Sequence, residues 1–191
     1  MPGYTWDIPS INKTLFITFD DGPTPGVTDW VLEELQKYNA KATFFCIGKN
    51  VTKHPELYHR IIHEGHAVGN HTHGHIKGWK TSVSDYIEDI EKASEIIDSK
   101  LFRPPYGEIT IPKGRQLKKL GYKIIMWDVL AIDWKPQISP EKSVSNVIKN
   151  ARNGSIIVFH DSIKASRNMK HALSETLAYF HNSGYTFKSI K

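Results

Sequence analysis

The feature that most constrains the fold of this chain is an alternation of short apolar segments with segments of helical periodicity. The apolar segments are rich in the β-branched and aromatic residues that favour strands. They show almost no polar alternation, so each is expected to be buried on both faces, as strands of parallel sheets are. The intervening helices would cover those faces. Seven strands are predicted in this way, at residues 15–19, 42–47, 66–70, 101–103, 123–129, 155–160 and 185–190.

Two architectures contain such alternating units, an open doubly wound sheet and a closed barrel. An open sheet gathers its chemistry at a switch point between two strands, whereas a barrel brings the carboxyl ends of many strands to one mouth. Here the reactive side chains follow the first, third, fourth, fifth and sixth predicted strands. This distribution favours an α/β barrel of parallel strands with outer helices, and the shortness of the strands predicts an irregular one.

The size of the chain predicts a single domain. With 191 residues and 39% hydrophobic content it can bury one sizeable core, and it shows no low-complexity tract, internal repeat or linker. Its one cysteine, Cys46, lies inside an apolar segment, which indicates a buried structural thiol rather than a nucleophile. A lone cysteine also excludes an intrachain disulfide.

The charge pattern excludes some classes of partner. The net charge of +5 comes from lysines and arginines scattered along the chain, without a block of like charges or a basic stripe interleaved with aromatics. Nucleic acid is therefore not expected as a partner. No window reaches membrane-spanning length, and residues 1–7 lack the positive start and apolar stretch of a leader. We expect a soluble monomer. The sequence does not specify its cellular compartment, since a leader removed earlier would leave no trace.

Two adjacent carboxylates, Asp20 and Asp21, stand where the first predicted strand ends. Neighbouring residues on a strand point to opposite faces, so both acids can approach one point only where the strand gives way to a turn. Gly22 and Pro23 supply that turn. One acid could then bind a metal while the other handles protons. The alternative is a helix-capping loop in which an acid accepts hydrogen bonds from backbone amides.

Three histidines occur within residues 71–75, directly after the third predicted strand. Imidazoles four positions apart can meet one divalent ion, and this spacing is within the usual range for zinc ligands. We prefer the pair His71 and His75 to any pair that includes His73. With Asp21, they would form a site of two imidazoles and one carboxylate that leaves positions open for water and substrate. The alternative is that these histidines are ordinary surface or core residues.

Two further segments that follow predicted strands contain residues suited to catalysis. Residues 103–107, with the sequence RPPYG, form a rigid turn in which Arg103 could hold a carboxylate and the Tyr106 amide could stabilise an oxyanion. His160 ends the sixth strand, where a carboxylate from a neighbouring loop would stabilise its charged form and make it a general acid. Its alternative role is a helix cap or a structural hydrogen bond.

Taken in order, these segments resemble the five motifs of the polysaccharide deacetylases, the NodB-homology domains of carbohydrate esterase family 4. Five motifs in the right order are specific where each alone is not. The resemblance implies one such domain over residues 1–191, with a core over about 14–191, folded as a distorted (β/α)7 barrel. It implies metal-dependent removal of acetyl groups from glycans. The motifs are Thr18–Gly22, His71–His75, Arg103–Tyr106, Asp133–Trp134 and Val158–His160.

The resemblance also implies roles for individual residues. Asp20 would be the general base and His160 the general acid, with Asp133 supporting the charge of His160. Asp21 and the histidine pair would bind one divalent metal ion, with Zn²⁺ expected and Co²⁺ or Ni²⁺ as alternatives. The remaining roles are orientation of Asp20 by Arg103, an oxyanion site at the Tyr106 amide, and a pocket for the acetyl methyl at Trp134 and Val158.

Three positions depart from the family pattern, namely His73, Leu130 and Val158, and they bear on substrate more than on activity. An acetylated glycan such as chitin oligomers or peptidoglycan is the expected substrate. Two alternatives are an O-acetyl esterase acting on xylan or a similar glycan, and a non-catalytic glycan-binding protein. The aromatic side chains of Trp79 and Tyr106 could stack on sugar rings or simply pack against loops.

Overall fold

The computed structural model describes residues 3–191; Met1 and Pro2, part of the segment in which no leader is expected, lie outside it. The strands are β1 (Thr14–Asp20), β2 (Thr43–Cys46), β3 (Ala67–Asn70), β4 (Leu101–Phe102), β5 (Lys123–Ile124), β6 (Val129–Leu130), β7 (Ile156–His160) and β8 (Thr186–Phe187). The helices are α1 (Thr28–Lys37), α2 (Gly48–Lys53), α3 (Pro55–His63), α4 (Val83–Ser94), α5 (Ile111–Lys119), α6 (Pro140–Ile148) and α7 (Ser166–Asn182).

The strands form one curled sheet in the order β5-β4-β3-β2-β1-β7-β6, with β8 also pairing β1. Every strand pair is parallel, as the apolar pattern predicts. The two edge strands, β5 and β6, are joined by only a few residues of chain, so the sheet must curl until its edges approach each other. The predicted distorted barrel of parallel strands is therefore confirmed, in the form of a half-barrel with outer helices.

The prediction of residues 123–129 as one strand is wrong. The segment is divided into β5 and β6, which lie at opposite edges of the sheet. The backbone between them is engaged elsewhere. The carbonyls of Ile125 and Met126 accept hydrogen bonds from the Arg103 guanidinium at 3.2 and 3.0 Å, and the Met126 amide donates to the Thr5 carbonyl at 2.7 Å. These groups cannot also pair with a neighbouring strand, so the ladder ends there.

The core lies between the sheet and the helices packed on it. β1 is buried along its whole length, and the Phe19 ring stacks on Phe44 of β2 at 4.9 Å and on Phe159 of β7 at 6.0 Å. Cys46 is buried, as predicted. Among the described residues, no helix is long and apolar enough to cross a membrane.

The register of the strands places their carboxyl ends side by side. Asp20, the last residue of β1, lies opposite His160 of β7 and Phe45 of β2. Asn70, the last residue of β3, lies opposite Cys46 and Phe102. The loops that follow β1, β3, β4 and β7 therefore begin at one edge, which is the mouth of the half-barrel.

Candidate active site

The turn after β1 brings both acids to the mouth. Asp21 adopts a left-handed conformation with φ of 83°, which reverses the strand direction directly after Asp20. Asp161 fixes this turn, because its amide donates to the Asp20 carbonyl at 3.1 Å and its carboxylate accepts from the Gly22 amide at 2.9 Å. A Cβ atom on Gly22 would lie 2.0 Å from an oxygen of Asp161, so only glycine fits here. The predicted turn is thus built from a carboxylate that the sequence motifs did not include.

Asp21, His71 and His75 form a cluster suited to a metal ion. Their ligand atoms all lie within 4.8 Å of one another. The Oδ1 atom of Asp21 is 3.2 Å from Nε2 of His75 and 3.9 Å from Nε2 of His71. Tetrahedral coordination with bonds of about 2.1 Å separates neighbouring ligand atoms by about 3.4 Å. The Asp21–His75 distance is therefore close to that of a coordination shell, and the Asp21–His71 distance is somewhat longer.

The protonation states in this cluster also fit a cation. His71 Nδ1 lies 2.8 Å from the Arg103 carbonyl, an acceptor, so Nδ1 carries the proton and Nε2 presents its lone pair to the cluster. Burial lowers the pKa of His71 to about 4, which keeps the imidazole neutral. Burial alone would raise the pKa of Asp21, but the hydrogen bond from His75 and the nearby imidazoles lower it to about 2. A neutral imidazole and an ionised carboxylate are the forms that bind metal.

His73 lies outside this cluster, in agreement with the preference for His71 and His75. Its amide and that of Gly74 donate to Oδ2 of Asp89 on α4, at 2.7 and 2.9 Å. Its Nδ1 atom faces Gly48 and has no hydrogen-bond partner among the described residues. The His73 backbone therefore helps to hold the loop, and its side chain lies outside the Asp21, His71 and His75 cluster.

Asp20 is held by a fully buried arginine. The Arg103 guanidinium donates to Oδ1 of Asp20 at 2.8 Å and to the hydroxyl of Thr18 at 2.6 Å. Asp20 is only 4% exposed, so this ion pair has little competition from solvent. The remaining carboxylate oxygen of Asp20, which no protein group occupies among the described residues, can accept a proton at the cavity.

His160 and Asp133 form a second buried pair. Nδ1 of His160 lies 2.8 Å from Oδ1 of Asp133, and the His160 amide donates to Oδ2 of the same carboxylate at 2.8 Å. Burial by itself would lower the pKa of His160, but Asp133, with smaller contributions from Asp20 and Asp21, raises it to about 9. The ring centroids of Trp134 and His160 are 4.7 Å apart. His160 is thus protonated at neutral pH, with Nε2 free to donate.

A cavity of about 410 Å³ joins these groups. Tyr106 stands at its rim, 57% exposed, and its backbone amide donates to no acceptor among the described residues. Trp79 lies outside the cavity lining, and its role in sugar stacking stays a prediction. The lining comprises Asp20, Asp21, His71, His75, Tyr106, Gly107, Trp127, Leu130, Trp134, Val158, His160, Ser162 and Lys164.

Several lining residues were not among the predicted site residues. Trp127 lies in the break between β5 and β6 and Leu130 ends β6, and a prediction of one continuous strand did not indicate that both line the cavity. Ser162 and Lys164 lie shortly after β7, whose last residues form one of the sequence motifs. Their position after that strand was the sequence signal that could have identified them as cavity residues. The assembled cavity therefore offers a proton acceptor, a cation site and a proton donor, the set required for metal-assisted hydrolysis.

Comparisons with known proteins agree with this geometry. The family model for polysaccharide deacetylase matches residues 7–125. A peptidoglycan-N-acetylglucosamine deacetylase of Bacillus cereus is 36% identical over 197 residues, covering 98% of this chain and 92% of the relative. The peptidoglycan-N-acetylmuramic acid deacetylase PdaA of Bacillus subtilis is 34% identical over 188 residues, covering 93% and 70%. The crystal structure of the Bc1960 peptidoglycan N-acetylglucosamine deacetylase matches with a TM-score of 0.93 at 32% identity, covering 98% of this chain and 91% of that chain.

Proposed function

The chain belongs to the polysaccharide deacetylase family, carbohydrate esterase family 4, and we propose that it removes N-acetyl groups from peptidoglycan sugars by hydrolysing their amide bonds. The observation that carries the proposal is the convergence of the Asp20–Arg103 and His160–Asp133 pairs on one cavity beside the Asp21, His71 and His75 cluster. The relatives named for peptidoglycan favour it over chitin oligomers as the substrate.

Asp21, His71 and His75 are proposed to hold one divalent cation, with Zn²⁺ first and Co²⁺ or Ni²⁺ as alternatives. When bound, such a cation polarises an acyl carbonyl and lowers the pKa of a coordinated water. The lone pair that His71 presents at Nε2 and the ionised carboxylate of Asp21 support this assignment.

Asp20 is proposed to be the general base. Its carboxylate lies at the cavity, and the Arg103 guanidinium holds one of its oxygens at 2.8 Å, which leaves the other to take a proton from the attacking water. Arg103 also fixes the rotamer of Asp20, so the acceptor oxygen is oriented before substrate arrives.

His160 is proposed to be the general acid. An amine leaves a tetrahedral intermediate only when protonated, and the raised pKa of His160 keeps a proton available at neutral pH. Asp133 holds Nδ1, so the proton on Nε2 is the one that faces the cavity. This pair favours an amide substrate over an ester, because an alkoxide leaving group depends less on prior protonation.

Two smaller features are proposed to position the acetyl group. The free amide of Tyr106, held in a left-handed conformation with φ of 60°, is available to donate to a developing oxyanion. Trp134 and Val158, which line the cavity beside His160, are proposed to receive the acetyl methyl, with Leu130 as a further apolar neighbour.

Acetate release from peptidoglycan, chitooligosaccharides and acetylxylan, with and without a chelator, tests this proposal. Asp20→Asn and His160→Ala should each lower kcat about 10²- to 10⁴-fold on the amide substrate, the usual contribution of a general base or acid. The exposed residues Asp98 and His63 provide matched controls, as Asp98→Asn and His63→Ala. Wild-type turnover in Asp20→Asn or His160→Ala, with metal still bound, would exclude the assigned roles.

A further inference from the structure

Two lysines stand at the mouth of the cavity, on different sides of it. Lys164 lies in the loop after β7 and lines the cavity next to His160. Lys77 lies between β3 and α4, and its ammonium is 5.2 Å from the ring centroid of Tyr106, a lining residue at the rim. In the sheet, β7 and β4 are separated by β1, β2 and β3. A glycan that crosses the mouth would therefore pass a positive charge on either side of its acetylated sugar.

Neither charge is neutralised by the protein. Within residues 3–191, no carboxylate lies in ion-pair distance of Lys77 or Lys164. Of the acids that line the cavity, Asp20 is paired with Arg103, and Asp21 lies against His71 and His75. Glu108, close to Tyr106 along the chain, directs one oxygen to the Trp79 amide at 3.4 Å. Among the described residues, the ammonium groups of Lys77 and Lys164 are therefore without an ion-pair partner.

Unpaired cations at a binding cleft favour ligands of opposite charge. They raise the local concentration of anions and give each carboxylate that reaches them a charge-assisted hydrogen bond. A neutral N-acetylglucosamine oligomer gains nothing comparable. The lysines therefore discriminate between glycans by the charge of the sugars that flank the acetylated one.

We propose that Lys77 and Lys164 form a rim that selects glycans with carboxylates next to the acetylated sugar. The inference rests on the proposed function, because it concerns the substrate of the same cavity. In peptidoglycan the carboxylate can belong to the lactyl ether of the neighbouring sugar or to the peptide attached to it. The shared chemistry is a carboxylate within reach of an ammonium at the mouth.

The test compares Lys77→Gln and Lys164→Gln on three substrates: neutral N-acetylglucosamine oligomers, glycan strands stripped of peptide, and strands that keep their peptides. For carboxylated strands, kcat/KM should fall about two- to fivefold per lysine through KM, the size of an exposed ion pair. On the neutral oligomers any change should be smaller than this fall. A fall already present on stripped strands identifies the lactyl carboxylate, and a fall only on intact strands identifies the peptide.

Lys188→Gln is the matched control, because Lys188 is exposed and follows β8, which pairs with the opening residues of β1 at the opposite end of the barrel. The differences at Lys77 and Lys164 should disappear in high salt. An equal loss of kcat/KM on neutral and carboxylated glycans, or no loss on carboxylated glycans, would contradict the proposal that Lys77 and Lys164 select carboxylated substrates. Absence of acetate release by the wild-type enzyme from every glycan would instead overturn the proposed function, and binding of the same oligomers by calorimetry would still test the rim.

Discussion

Arg103 is a fully buried side chain whose guanidinium makes four hydrogen bonds, two to β1 and two to the carbonyls between β5 and β6. A buried ion pair is costly to break, because removal of one partner leaves the other charge without compensation. Arg103 thus both holds Asp20, the proposed general base, and binds the backbone where the fifth predicted strand is interrupted.

Arg103→Ala should lower the free energy of unfolding by about 3–5 kcal/mol, because Asp20 would remain buried and unpaired. Denaturant unfolding measures this loss. Arg152 is the matched control, since its pair with Asp7 at 3.0 Å is largely exposed and Arg152→Ala should cost less than about 1 kcal/mol. Similar losses for the two variants would contradict the stabilising role given to the buried pair.

The pKa of His160 predicts the alkaline limit of activity. Asp133 raises this pKa from its ordinary 6.5 to about 9, so the native state holds the proton at pH values where the unfolded chain has lost it. The resulting stabilisation is complete below pH 6.5 and is lost as pH rises through about 9. Activity that needs the protonated acid should fall over the same alkaline range.

Asp133→Asn should therefore shift the alkaline limb of the kcat profile to lower pH, since the carboxylate that raises the pKa is gone. A pH profile of acetate release measures the shift. Asp128 is the control, because it lies near the same loop but accepts from Ser155 and Ile156 instead of His160. A limb that stays in place in Asp133→Asn, or moves equally in Asp128→Asn, would show that His160 does not limit the reaction.

At the scale of elements, α4 holds the loop of His71 and His75, the proposed metal ligands, through polar contacts. Asp89 accepts the amides of His73 and Gly74, and Asn70 at the end of β3 bridges the Ile90 carbonyl and the Thr72 amide. Thr72 and His75 both have positive φ, at 65° and 55°. The loop therefore depends on these contacts to hold a conformation that non-glycine residues rarely adopt.

Asp89→Ala should weaken binding of a divalent cation by about tenfold, the lower range for residues that support metal ligands. Calorimetric titration with Zn²⁺ or Co²⁺ measures the affinity. Glu88→Ala is the control, since Glu88 is the exposed neighbour of Asp89 on the same helix. Unchanged affinity in Asp89→Ala would mean that the loop keeps its shape without α4.

Local patterns predict most of these elements, because apolar segments and helix caps depend on nearby residues. Ser82, for example, accepts the Asp85 amide at the start of α4, and serine is a residue type that commonly caps helices. What escaped prediction depends on distant contacts. Arg103, which follows β4, binds the carbonyls just beyond β5, and Asp161 fixes the turn after β1 from the end of β7.

The whole molecule is a sheet whose curl follows from its connectivity. Because β5 and β6 are almost adjacent in sequence but lie at opposite edges, the carboxyl ends of all strands between them face a common mouth. The same feature explains why motifs spread from residue 18 to residue 160 can meet in one cavity. Predicting the motifs required only sequence, whereas the rim lysines and the supporting carboxylates became apparent when the loops were placed around that mouth.

The convergence of Asp21, His71 and His75 on one cation is tested most directly by titration calorimetry with Zn²⁺. We expect one ion per wild-type chain, loss of the site in His71→Ala and in His75→Ala, and near wild-type affinity in His73→Ala, whose side chain lies behind the loop. Retained binding in His71→Ala together with loss in His73→Ala would contradict the assembly of this site.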